Sequence, residues 1–185
     1  ISKVFAYHSV IHYRDAYALH ACNGILFNHE SPRRGVNFVT KKIVQGLVRV
    51  KQGKQKILIL GNLYSKRDWG HAKDYVESMW KILQQKKAND FVVATKTSHS
   101  VKEFINICAK KLNINLIWKN RGIKEIAINT KTKKTIVKVD KKYFRETEVD
   151  NLIGDFSKAK RLLKWKPKLS FNKLIDDMIY NELNG

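Results

Sequence analysis

The chain has 185 residues, 43% of them apolar, with eight Phe, seven Tyr and four Trp. That is enough to enclose a core and excludes a disordered tail. The 37 basic and 16 acidic residues leave a net charge of +21 and a pI near 10.0, which by itself invites a nucleic-acid reading. Yet the cations are mostly Lys and are spread along the chain, whereas base-edge and bidentate phosphate recognition favour Arg. The charge therefore reads as solvated surface with a smaller cluster facing an anionic ligand.

Val4, Tyr7, Val10, Ile11 and Ala18 recur at helical spacing, and no capping residue precedes them at a distance that would start a helix cleanly, so a helix over 3–17 is expected to begin upstream. Ala21 to Phe27 reads as a short buried strand, and Asn28 to Gly35 as a polar loop stiffened by Pro32. Helical periodicity returns over 38–50 and stops at Gly53, before a strand at Ile57 to Leu60. A loop from Gly61 to Gly70 leads into a helix over 72–86, then a strand from Phe91 to Thr95. Ser100 and Glu103 have capping-box spacing for a helix reaching Lys111, and Ile114 to Trp118 reads as a strand. The lysine-rich 123–139 segment, with alternating Ile and Val, suits exposed strands or a hairpin. A helix after Gly154 ends near Trp165 and Pro167, and a last helix covers about 170–183. This alternation predicts an α/β fold.

No run approaches the ~18 consecutive apolar residues of a membrane span. The first residues carry charge and histidines where a secretion signal needs an apolar stretch, so a cytoplasmic protein is expected. Cys22 and Cys108 lie in apolar runs without metal-ligand spacing, which argues against a disulfide framework or a metal site.

The most specific run is Asn28-His29-Glu30-Ser31-Pro32-Arg33-Arg34-Gly35. Next in the chain come Phe38-Val39-Thr40-Lys41-Lys42-Ile43, then Arg67-Asp68-Trp69 with Asp74-Tyr75-Val76. Arg145, Glu148, Gly154-Asp155 and Trp165-Lys166-Pro167 close the series. Together these motifs resemble, in order and over nearly the whole chain, the GDP-mannose 4,6-dehydratase family of extended short-chain dehydrogenases. Ile1-Ser2-Lys3 resembles the stretch just after the catalytic Tyr in that superfamily, where Tyr and Lys four residues apart share a helix face and the ammonium lowers the phenol's pKa. The partner Tyr would then fall before Ile1.

The resemblance implies an α/β fold that is the C-terminal part of such an enzyme: an incomplete Rossmann sheet remnant over 1–30, and a smaller α/β substrate-binding lobe over most of 31–185 with some segments returning to the first part. It implies NADP as cofactor, contacted by Lys3, His29 and Arg34. GDP-mannose would be held by Asn28, Lys42, Arg67, Arg145 and Glu148, the arginines as guanidinium forks on the diphosphate. The complete enzyme would be a hydro-lyase of GDP-fucose biosynthesis, a tetramer or dimer in which the double-Arg loop reaches a neighbour's cofactor. The isolated chain is expected to be inactive.

Each motif also has a plainer reading. Lys42 would suit the polar face of an amphipathic helix, Asp74 is favoured at a helix start by the dipole, and His71 reads as a structural hydrogen-bonding residue. Glu146 stands where the family has Pro. Lys164 stands where it has Gly, which matters only if the backbone there has positive φ. Rival readings are a sibling GDP-sugar reductase or epimerase, against which the His29 to Arg34 loop argues, and a basic nucleic-acid-binding protein, against which the placement of the arginines argues.

Overall fold

A computed structural model describes residues 1–144 and 149–185. In chain order the elements are α1 (Ser2–Tyr17), β1 (Gly24–Leu26), β2 (Asn28–Glu30), α2 (Val39–Lys51), β3 (Leu58–Leu60), β4 (Lys66–Arg67), β5 (Trp69–His71) and α3 (Ala72–Leu83). After these come β6 (Phe91–Val93), β7 (His99–Ser100), α4 (Val101–Lys111), β8 (Leu116–Lys119), β9 (Ile126–Asn129), β10 (Thr135–Val139), β11 (Asn151–Leu152), α5 (Ser157–Leu163) and α6 (Phe171–Asn184). The chain is mixed α/β, as its alternation predicts, and forms two compact units, each assembled from three separate stretches.

The first unit comprises 1–29, 68–97 and 153–170. Its β1 and β6 pair in parallel, Gly24 to Leu26 against Phe91 to Val93. Tyr75, Phe91, Val93, Ala159, Leu163 and Trp165 form an apolar cluster beside them. Three aspartates of the middle stretch tie the pieces together. Asp68, fully buried, accepts hydrogen bonds from the Thr95 and Lys96 amides, the Thr95 hydroxyl and the Gly154 amide. Asp74 does more than complement the dipole of α3: its Oδ2 accepts from the Lys168 and Leu169 amides at 3.0 and 2.9 Å. Asp90 takes two bonds from the Arg14 guanidinium and two from Asn23. Gly154 is required where it stands, since a Cβ there would lie 2.4 Å from that of Ala94.

The second unit comprises 30–67, 98–152 and 171–185. Helices α2, α4 and α6 pack on one another through Ile43, Leu47, Phe104, Ile105, Leu174 and Ile175, all buried. Its four-stranded sheet has the order β3-β10-β9-β8, parallel between β3 and β10 and antiparallel elsewhere. The lysine-rich segment is indeed a hairpin, but β10 is central and buries Ile136, Val137 and Val139 instead of being exposed. The Lys residues of that segment sit at the turn and on outward positions, which masks the buried apolar alternation in the composition. The Ser100 hydroxyl caps α4 by accepting the Glu103 amide, while the Glu103 carboxylate reaches His99, so only half of the capping box forms.

Two expectations shift. The loop from Gly61 to Gly70 contains β4 and the start of β5, and β2 occupies the start of the loop from Asn28 to Gly35. Strands of two or three residues, rich in charge and Gly, carry no readable period. Lys164 does adopt positive φ, 51°, as the left-handed cap of α5, so a side chain stands where Gly is the unstrained residue.

Candidate functional site

In the first unit Lys3, Tyr7 and His8 of α1 share a recess of about 800 Å³ with Asn23, the residues of β1 and His29. Helix α1 has no buried residue. What holds it is polar: Arg14 to Asp90 at 2.9 and 3.1 Å, Arg14 to the Ala21 carbonyl, and the Asn23 amide nitrogen to the Tyr7 carbonyl. The Arg14 guanidinium, aided by Asn23, holds the Asp90 carboxyl down at about 2, and Asp90 in turn raises Arg14. The His29 ring lies 5.0 Å from that of Tyr75, and its Nδ1 is 2.9 Å from the Phe27 carbonyl, which leaves Nε2 for a ligand. Asn28 is the neighbouring residue on β2. His71 caps α3, its Nδ1 accepting from the Lys73 amide at 3.1 Å, which is the structural role its position suggested.

In the second unit Arg34 is set by its surroundings. Its Nε lies 3.1 Å from the buried Glu30 carboxylate, which also accepts from the Thr40 hydroxyl, and its guanidinium carbon sits 3.5 Å from the centre of the Phe38 ring. The two lysines that begin α2 diverge. Lys41 is paired with Glu182 at 2.7 Å, whereas the Lys42 ammonium lies 4.1 Å over the Tyr143 ring and is lowered by burial. Gly61 allows this platform, because a Cβ there would meet the Tyr143 carbonyl oxygen at 1.9 Å. Arg67 donates through Nη1 to the Lys66 and Val149 carbonyls, 2.8 and 2.6 Å. Arg145 and Glu148, together with Glu146, lie outside the described residues.

Of the residues singled out from sequence, Lys3 and His29 therefore share one recess, with Asn28 adjoining. Arg34, Lys42 and Arg67 belong to the second unit. Sequence reasoning missed the residues that hold these in place: Arg14, Asn23, Asp68 and Asp90 in the first unit, Glu30, Phe38 and Tyr143 in the second. Asp68 sits inside the Arg-Asp-Trp motif and was legible there; Asp90 and Arg14 are 76 residues apart and carry no local signal. Among the described residues no cluster of three or more His, Cys, Asp or Glu could hold a metal ion, and no helix is long and apolar enough to cross a membrane.

The family profile described as GDP-mannose 4,6 dehydratase matches residues 1–178. The chain belongs to this family. It is 50% identical over 183 residues to the GDP-mannose 4,6 dehydratase of Dictyostelium discoideum, covering 99% of this chain and 51% of that protein. It is 52% identical over 182 residues to GDP-mannose 4,6 dehydratase 1 of Arabidopsis thaliana, covering 98% and 46%, and 47% identical over 182 residues to the human enzyme, covering 98% and 49%. The chain thus spans about half the length of the curated relatives it matches. Among solved structures it resembles RMD from Pseudomonas aeruginosa complexed with NADPH, with a TM-score of 0.81 at 16% identity, covering 100% of this chain and 55% of that one. It also resembles dTDP-glucose 4,6-dehydratase from Bacillus anthracis in complex with NAD, with a TM-score of 0.75 at 15% identity, covering 97% and 50%. At that identity the likeness concerns the fold, that of an extended short-chain dehydrogenase.

Proposed function

We propose that this chain is the portion of a cytoplasmic GDP-mannose 4,6-dehydratase that supplies the active-site Lys and the residues holding the GDP-sugar, and that the whole enzyme is a hydro-lyase making GDP-4-keto-6-deoxymannose for GDP-fucose synthesis. The observation that carries this reading is the recess shared by Lys3 and His29, the two residues of the first unit that family resemblance assigns to the cofactor. Its donor set, the Lys3 ammonium and the His29 ring nitrogen, fits a nicotinamide nucleotide, for which NADP is the member proposed. When bound, that group accepts and returns a hydride.

This chain's own residues bind and orient. Lys3 would hold the ribose and depress the pKa of a phenol four residues upstream on the same helix face. Arg34 would meet the cofactor's phosphates with donors already braced by Glu30 and Phe38. Lys42 and Arg67, with Arg145, would neutralise the diphosphate, while Asn28 and Glu148 would bond sugar and ribose hydroxyls. The first unit would be the remnant of the cofactor-binding domain and the second the substrate lobe, in an assembly that is tetrameric or dimeric when complete.

The test is to fuse the 185 residues to the upstream portion of the Dictyostelium relative and assay GDP-mannose conversion with NADP. The fusion should form the keto-sugar, and Lys3→Ala should lower kcat by at least about a hundredfold, the scale of a positioned acid–base group. Full activity with Lys3→Ala would contradict the assignment.

A further inference from the structure

The second unit carries a recess lined by none of the residues assigned to cofactor or substrate. It measures about 630 Å³ and is lined by Tyr64, Lys102, Trp118, Asn120 and Arg121. The Lys102 ammonium is 2.6 Å from the buried Glu125 carboxylate, so its charge is largely neutralised. The same ammonium lies 4.6 Å from the centre of the Trp118 ring and 5.5 Å from that of Tyr64, and so fixes two aromatic rings around one point. Trp118 is fixed further by its indole N–H, which donates to Asn106 at 2.8 Å. Tyr64 is 49% exposed.

Arg121 is the charge left over. It is exposed, it has no carboxylate partner among the described residues, and the flanking stretch 117–124 contains Lys119 and Lys124 but no acidic residue. With Lys102 held by Glu125 and Asn120 donating to the Lys124 carbonyl, a purely apolar ligand would leave Arg121 without a partner, and a bare anion would make no use of the rings. The chemistry that uses both is a flat ring joined to a phosphate: every nucleobase offers a π-face to an aromatic side chain, and a guanidinium suits a phosphate bidentately. The volume falls within the ~300–1,000 Å³ of small-molecule sites.

We propose that this recess is a nucleotide-binding site, in which the base lies against Trp118 or Tyr64 and the phosphate meets Arg121. It would act as such whether or not the chain handles a GDP-sugar through Lys42 and Arg67.

The test is local. The chain has four Trp, so an isotope-labelled sample gives four indole N–H resonances, and Trp118→Phe identifies the one belonging to the recess. Titrating the whole chain with adenosine monophosphate should shift that resonance saturably, at concentrations at least about tenfold below those needed with inorganic phosphate or adenosine alone. Arg121→Ala and Tyr64→Ala, both exposed positions whose fold is checked by circular dichroism, should each weaken the response about tenfold. Lys42→Ala should leave it unchanged. A Trp118 resonance that does not move with the nucleotide, that moves as readily with phosphate alone, that ignores both substitutions, or that is lost in Lys42→Ala would overturn the proposal.

Discussion

The two units solve the same construction problem, joining three distant stretches of chain, with different emphasis: the first adds a set of aspartates to its apolar cluster, and the second relies on helix packing. In the first, Asp68, Asp74 and Asp90 reach from the middle stretch to backbone amides and to Arg14 in the other two. In the second, three amphipathic helices bury aliphatic and aromatic side chains against one another, and its ion pairs, such as Lys41–Glu182 and Lys111–Asp176, lie around that core. Hydrogen bonds to carboxylates are directional, and the one at Asp90 depends on pH, whereas apolar packing is non-directional and does not. The difference extends to the candidate ligand residues: Lys3 rides on a helix with no fully buried residue, tied down by Arg14 and Asn23, while Arg34 and Lys42 rest on the Phe38 and Tyr143 rings.

The largest effect should come from the apolar side. Phe104→Ala opens a cavity in the second unit's core, at a cost of about 3–5 kcal/mol, and amide exchange should rise in α2, α4 and α6. Asp68→Ala leaves the buried Gly154 amide and the part-buried Thr95 and Lys96 donors unpaired, at a cost of about 3 kcal/mol, and should raise exchange around Thr95 and Gly154. If Asp68→Ala were as mild as an exposed substitution, the aspartate account of the first unit would be wrong.

The pH dependence sharpens the contrast. Arg14 and Asn23 hold Asp90 at about 2, below its ordinary 3.8, so its contribution is fully present above that ordinary value and lost as pH falls through the lower one. Its size is about 2 kcal/mol, and α1 exchange followed from pH 5 to pH 2 should show the loss in the wild type but not in Asp90→Asn. The smallest effect is a gain: Lys164→Gly relieves the left-handed cap of α5 and should stabilise the first unit by about 1 kcal/mol in thermal melting.

The elements most legible in the sequence were those with a sustained period. Helices α2, α3, α4 and α6 lie close to where their apolar spacing places them, because each buries one stripe. The short strands were not legible, and neither was the buried centre of the lysine-rich hairpin, since a strand surrounded by Lys reads as exposed until its neighbours are known. At the candidate site, motif residues named the cations. Their supports were silent, because Arg14–Asp90 and Lys42–Tyr143 join positions far apart in the chain.

The central claim is that the GDP-sugar is held by named cations of this chain, and calorimetric titration of GDP-mannose into the wild-type 185 residues, Arg67→Ala, Arg145→Ala and Lys133→Ala tests it most directly. Arg67→Ala and Arg145→Ala should each weaken binding by about tenfold or more, the scale of a charge-assisted bond to phosphate, and Lys133→Ala, on the exposed hairpin turn, should not. Affinity unchanged by both arginine substitutions but abolished by Lys133→Ala would contradict the account.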